Sequence, residues 1–153
     1  FVESWGELSG AWGINKTMAR IHAHLLVAEE PVDTDEIMKA LAISRGNANM
    51  NLRALLDWGL IRRVSLPRER KEYFAAESDV WTMCCRIARE RKKREVEPVL
   101  GALEDILKDA GSDKNLKKKL GELQELVRML DTVLGKVGGM ERSKVLMLAR
   151  ALL

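Results

Sequence analysis

The stretch SRGNANMNLRALLDWG, Ser44 to Gly59, decides the fold, because both its ends and both its faces can be read. Ser44 is suited to cap a helix by accepting hydrogen bonds from first-turn amides, and Gly59 to end it in a left-handed conformation. Between them Ala48, Leu52, Leu55 and Leu56 fall on one helical stripe, while Arg45, Asn47, Asn49, Met50 and Arg53 fall largely off it. A helix built for solubility would carry Glu and Lys on that second face. Asn is a poor helix former, so its presence there serves something other than helix stability. Asn pairs bidentately with adenine and Arg with guanine, and the pattern is that of a helix that reads base edges.

The neighbouring charge points the same way. From Ser44 to Lys71 stand seven basic residues (Arg45, Arg53, Arg62, Arg63, Arg68, Arg70, Lys71) against two acidic ones (Asp57, Glu69). A basic patch around such a helix is the footprint expected where phosphates must be neutralised. Gly46, in the first turn, is either an accidental cost to the helix or a place where the backbone can come close to a phosphate.

Upstream, Asp33 is placed to cap a short helix, with Glu36 three residues on as the second half of a capping box and Ile37, Met38 and Leu41 as its buried face. Only Ala42 and Ile43 separate that helix from Ser44, the spacing of a helix-turn-helix. Downstream the pattern becomes extended. Leu60, Ile61, Val64 and Leu66 form one strand, Pro67 to Arg70 a polar turn, and Lys71 to Ala76 a returning strand, giving a hairpin with Arg68, Arg70 and Lys71 at or beside its tip. Arg62 and Arg63 alternate in direction, so at most one of them faces DNA.

Earlier still, Phe1, Trp5, Leu8 and Trp12 recur at helical spacing up to Gly13, and Asn15 is placed to cap a helix from Lys16 to Val27 carrying Met18, Ile21, Leu25 and Leu26. From Asp79 onward the chain reads as helical. Val80, Trp81, Cys84 and Ile87 form a stripe interrupted by the charged run Arg89 to Glu95; the wider basic stretch Arg86 to Glu95 is read as solvated helix surface, with binding of nucleic acid or anionic lipid as the alternative. Pro98 marks a kink or a new first turn, and Val99, Leu100, Leu103, Ile106 and Leu107 follow it. After a turn at Gly111, Ser112 and Asp113, a heptad seam runs through Leu116, Leu120, Leu123, Val127, Leu130, Leu134 and Val137 to Gly138 and Gly139. A last helix is expected from Met140 or Glu141, with Val145, Leu148 and Leu152.

The expected fold class is mainly α with a small β-hairpin wing: a winged helix-turn-helix domain over residues 1–77 and a helical dimerisation region over 78–153 that packs with residues 1–13. The bulk numbers agree with a globular chain of 153 residues, 46% hydrophobic and 32% charged with a net charge of +3. The apolar runs are too short for a membrane span, the start lacks a secretory pattern, and the two cysteines, Cys84 and Cys85, build no disulfide framework. A cytoplasmic location and no membrane partner follow as expectations.

The segments TDEIMKALAISRGNANMNLRALLDWGLIRRVSLPRERKEYF and FVESWGELSGAWGINKTMARIHAHLL resemble the MarR superfamily of winged helix-turn-helix regulators, and within it the GbsR-like branch. The resemblance covers the first half of the chain; the second half matches in helical character without a specific motif. It implies a homodimeric transcriptional repressor on a palindromic operator. Helix 44–58 would lie in the major groove, wing 66–72 on the backbone or minor groove, and a dimer interface would be built from the two chain ends. Carried over by position, Ser44, Arg45, Asn47, Asn49, Met50 and Arg53 face DNA from the helix, and Arg68 and Arg70 from the wing. Three Asn replace the Ser and Thr residues common on such helices, so a different target sequence is implied.

No catalytic constellation is present: neither a nucleotide-binding glycine loop, nor a Cys and His metal pattern, nor a Ser, His and acid combination in a recognisable context. The chain therefore reads as no enzyme and without a cofactor. His22 and His24 lie nearly opposite each other on their helix and cannot share a metal. The adjacent cysteines are expected to be buried or inert. Trp5, Trp12, Trp58 and Trp81 are expected in core and interface, with a cage for a quaternary ammonium effector as the alternative. The rival to DNA reading is a winged domain used only for protein contacts.

Overall fold

The structure is a computed structural model that describes residues 1–11, 14–67, 69–111, 113–139, 141, 143 and 147. It comprises two compact units, Phe1–Met83 and Cys84–Leu153.

The first unit is built on α2 (Lys16–Val27), which packs against α1 (Val2–Ala11), α4 (Arg45–Asp57) and strand β3 (Tyr73–Ala76). The helix starts where expected. Asn15 accepts hydrogen bonds from the amides of Thr17 and Met18, and Met18, Ile21 and Leu25 are buried at spacings of three and four. Ile21, Ile37 of α3 (Thr34–Leu41) and Leu55 of α4 are the largest fully buried side chains among the described residues. Truncating any of them to Ala would cost about 2 to 5 kcal/mol through lost transfer energy and a cavity. On α1, a β-carbon at Gly6 would stand 2.6 Å from the Cγ of Arg20, so glycine is what lets α1 lie this close to α2. The Arg20 guanidinium reaches on to Glu3 at 2.5 Å.

Strands β2 (Ile61–Val64) and β3 pair antiparallel with Ile61 opposite Ala76 and Val64 opposite Tyr73. A third strand, β1 (Val32–Asp33), pairs with the other edge of β3, giving the order β1-β3-β2. Two residues are too few to show alternation, so the sequence marks Asp33 as a cap only. Val32, Ile61 and Phe74 are the buried apolar residues that tie this sheet to the core.

The helix α5 (Val80–Arg91) crosses from the first unit to the second, and Met83 is its buried residue. It passes through a π-helical segment, Lys92–Val96, into α6 (Glu97–Asp109). Pro98 supplies the reason. Lacking an amide proton and clashing with the carbonyl four residues back, it cannot continue an ordinary α-turn, and the Glu97 amide bonds instead to the Lys92 carbonyl, five residues back. Pro98 thus occupies the first turn of α6, one of the two expectations.

Gly111 takes φ +52° in the turn, and Asp113 caps α7 (Lys114–Gly139) by accepting from the amides of Asn115 and Leu116. The heptad seam divides. Leu120, Val127 and Leu134 are half-buried against their own unit, whereas Leu116, Leu123 and Leu130 are exposed together with Leu126, Met129 and Val133. The half-buried side packs on α6 and the π-helical segment, with Lys92 3.1 Å from Asp131, while Arg128 reaches Glu104 at 3.1 Å on the exposed flank. That packing covers one side of α7 and leaves half its leucines facing outward. The Val137 side chain, Trp12, Gly13 and the expected last helix with Val145, Leu148 and Leu152 lie outside the described residues.

Candidate nucleic-acid interface

The helix-turn-helix is held by caps at each junction. The Asp33 carboxylate accepts from the Glu36 amide at 2.9 Å and the Glu36 carboxylate from the Asp33 amide at 3.2 Å, so both halves of the capping box form. The turn is made by Ala42 at φ 53°, with its amide and that of Ile43 both donating to the Met38 carbonyl. A left-handed alanine costs roughly 1 to 2 kcal/mol, and only the packing of both flanking helices over-determines it. Ser44 then caps α4, its hydroxyl accepting from the Asn47 amide at 3.3 Å. At the other end Gly59 is left-handed, φ 69°, and the Leu60 amide closes on the Leu55 carbonyl at 2.9 Å.

With Ala48, Leu52 and Leu55 buried, the outer face of α4 presents Arg45, Gly46, Asn49, Met50 and Arg53, all exposed, and Asn47 half-buried beside them. Met50 is 61% exposed, an apolar side chain with no role in the core. The row of three asparagines needs correction. Asn51 is buried, and its amide nitrogen donates to the Asn47 carbonyl at 2.8 Å and to Asn47 Oδ1 at 2.6 Å. It points into the domain because the inward stripe is wider than the leucines alone. Asn47 therefore already spends its amide oxygen inside the helix, and Asn49 is the asparagine of α4 left fully outward.

The wing carries Arg70 exposed at its tip; Arg68 lies outside the described residues. Lys71 is exposed but engaged. Its ammonium lies 2.6 Å from Asp33 Oδ2 and 3.3 Å from Asp35 Oδ2, and these partners raise its pKa to about 12. Asp35 also pairs through Oδ1 with Arg45. The Lys71 hydrogen bond holds the Asp33 carboxyl below its ordinary range, and Arg45, then Lys71, does the same for Asp35. Both carboxylates stand ahead of Ser44 in sequence and reach the basic patch only through the fold. On β2, Arg62 and Arg63 are both exposed, and Arg63 lies 3.4 Å from Glu72.

Among the described residues no group of His, Cys, Asp and Glu could hold a metal ion. His22 is buried, its Nε2 has no hydrogen-bond partner, and burial lowers its pKa to about 4; His24 is half-buried. Of the expectation that the cysteines are buried or inert, the burial is corrected: Cys84 is exposed and Cys85 half-buried, because α5 turns the stripe through Cys84 partly outward. Trp58 is buried under α4, and Trp5 packs on Phe1 with ring centroids 5.5 Å apart. Among the described residues no helix is long and apolar enough to cross a membrane.

This is the winged helix-turn-helix fold: three helices, a three-stranded antiparallel sheet and a hairpin wing, followed by long helices. No protein-family model matches the chain. The chain is 26% identical over 144 residues to the HTH-type transcriptional regulator MmpR5 of Mycobacterium tuberculosis, covering 91% of this chain and 83% of that protein. A crystal structure described as a transcriptional regulator superposes with a TM-score of 0.70 at 22% identity, over 91% of this chain and 93% of the other. A looser likeness, TM-score 0.44 at 15% identity over 83% of this chain and 87% of the other, is to Staphylococcus aureus MepR solved with DNA.

Proposed function

We propose that this chain is a sequence-specific double-stranded DNA-binding transcriptional regulator, a cytoplasmic homodimeric repressor of the MarR type and its GbsR-like branch. The observation that carries the reading is the outer face of α4. Arg45, Asn49, Met50 and Arg53 are exposed on the second helix of a helix-turn-helix, with Arg70 exposed on the wing that follows. Arg53 supplies a fork for guanine, Asn49 an amide for adenine, and Met50 an apolar contact for a thymine methyl. Ser44, Gly46 and the α4 amino terminus offer amide donors to a phosphate, and Arg68 and Arg70 neutralise the backbone beside the groove. The likeness to a regulator of the helix-turn-helix type supports the same reading.

Two copies would bring two reading helices to half-sites about 34 to 36 Å apart, one turn of DNA. The exposed leucine, methionine and valine stripe of α7 is the surface that supports pairing. A quaternary ammonium effector is not required by any of these features.

The test is a selection of bound fragments from a random duplex pool by the purified protein, repeated with Asn49→Ala. A shared motif is expected, with base preference relaxed at a single position of each half-site in the variant. A pool that shows no enrichment, or enrichment indifferent to Asn49→Ala and Arg53→Ala together, would overturn the reading and favour a domain used for protein contacts.

A further inference from the structure

The cations nearest the junction of reading helix and wing are not at the disposal of a ligand. Arg45 opens α4 and Lys71 stands at the base of the wing, and a single carboxylate, Asp35, takes both: Oδ1 on Arg45 and Oδ2 on Lys71 at 3.3 Å. Asp33 holds Lys71 from the other side at 2.6 Å. Two positive and two negative charges make this spot neutral in the middle of a basic face.

The two carboxylates differ in what the fold asks of them. Asp33 is buried, caps α3 and completes the capping box, so its charge is structural. Asp35 is exposed, and its side chain is bound to Arg45 and Lys71. An acid in the first turn of α3 favours that helix through its dipole, but this needs neither oxygen directed at the reading helix or the wing. A carboxylate and a phosphodiester each offer two oxygens sharing one negative charge. Asp35 therefore fills the place that a backbone phosphate would take between Arg45 and Lys71.

We propose that Asp35 is a specificity-determining residue, an internal phosphate surrogate that suppresses sequence-independent DNA binding. The inference rests on the DNA-binding reading above. A duplex approaching at random gains its affinity from phosphates, and here it must displace Asp35 and then tolerate that charge beside its own backbone. An operator, held also through base edges, offsets this cost. Asp35 thus widens the ratio of specific to non-specific affinity by weakening its denominator.

The experiment measures binding of the full chain to a random-sequence duplex by fluorescence anisotropy over a series of salt concentrations. Wild type is compared with Asp35→Asn, with Asp35→Ser as a second variant that keeps a polar first turn for α3, and with Asp109→Asn, which removes the same charge on α6. Both Asp35 variants are expected to bind random duplex several-fold more tightly at low salt. Their plot of log affinity against log salt is expected to steepen by about 0.9 for each phosphate newly engaged, with Asp109→Asn leaving the slope unchanged. A wild type that binds with the same slope as both Asp35 variants, or an equal change in Asp109→Asn, overturns this inference and leaves the DNA reading intact. Duplex binding by none of the proteins overturns both.

Discussion

Asn51 donates its side-chain amide to Asn47 Oδ1 at 2.6 Å, one turn apart on α4, and so divides an apparently uniform row of asparagines into a structural pair and one outward residue. Buried amide contacts of this kind contribute about 0.5 to 1.5 kcal/mol, and a donor left unsatisfied costs about 1 to 3 kcal/mol. Asn47→Ala is expected to destabilise by removing one of the two acceptors of the Asn51 amide, the backbone carbonyl remaining, while Asn49→Ala is expected to stay within about 0.5 kcal/mol of wild type. Urea unfolding of Asn47→Ala, Asn51→Ala and the double variant checks the coupling. Strictly additive effects would mean that the two side chains do not share a bond.

Gly46 occupies the first turn of α4 with ordinary backbone angles, and a β-carbon there would meet nothing within 4 Å. The fold does not require glycine at this place. Gly46→Ala is expected to raise the thermal midpoint, with a gain of about 0.5 to 1 kcal/mol from helix propensity and a less flexible unfolded chain. On the proposed reading the same change weakens binding to a selected operator, because the methyl group stands where a phosphate approaches the helix amides. Higher stability with unchanged affinity would remove Gly46 from the interface.

The acid limb of stability is expected to be set first by His22. Its folded pKa of about 4 lies below the ordinary 6.5, so between these values the unfolded chain binds the proton that the folded chain refuses. Stability is therefore full above 6.5 and falls as the pH drops towards 4, by up to about 3 kcal/mol. Denaturant midpoints followed from pH 7 to 4 should show this slope, and His22→Phe should flatten it. Asp33 and Asp35 have lowered values, so their contribution is present above the ordinary 3.8 and is lost only as the pH falls below it. A wild-type curve that is flat from pH 6.5 to 4.5 would place His22 in contact with water.

The outward stripe of α7 predicts its own variants. Leu126→Glu and Leu130→Glu alter exposed positions, so each chain should remain helical by circular dichroism. Sedimentation is expected to show a two-chain species for wild type and a one-chain species for the double variant, with operator affinity falling in parallel. A wild type that sediments as one chain at micromolar concentration would remove the homodimer from the proposal.

Much of this molecule was legible in order along the chain. Asn15, Asp33 with Glu36, Ser44 and Gly59 mark helix ends because capping is a local exchange between a short side chain and amides two or three residues away. The hairpin and the buried faces of α2, α3 and α4 follow from apolar spacing alone, since a face must be covered whatever covers it. Local rules carry this far and no further, because they name a face without naming what lies opposite.

The tertiary structure decided the rest. Lys71 meets Asp33 across 38 positions of sequence, so a cation read as a phosphate contact is engaged by the cap of another helix. Asn51 turned inward because packing of α4 set the rotation of its face, and β1 arose because β3 offered an edge to two residues too few to announce themselves. The heptad of α7 reads as one seam, and the packing of α6 and the π-helical segment on one side of it leaves the other half open. For Lys71, β1 and α7 the deciding partner is distant in sequence, where periodicity carries no information and charge and shape do; Asn51 lies on the helical stripe of Ala48, Leu52 and Leu55, hidden by its polarity.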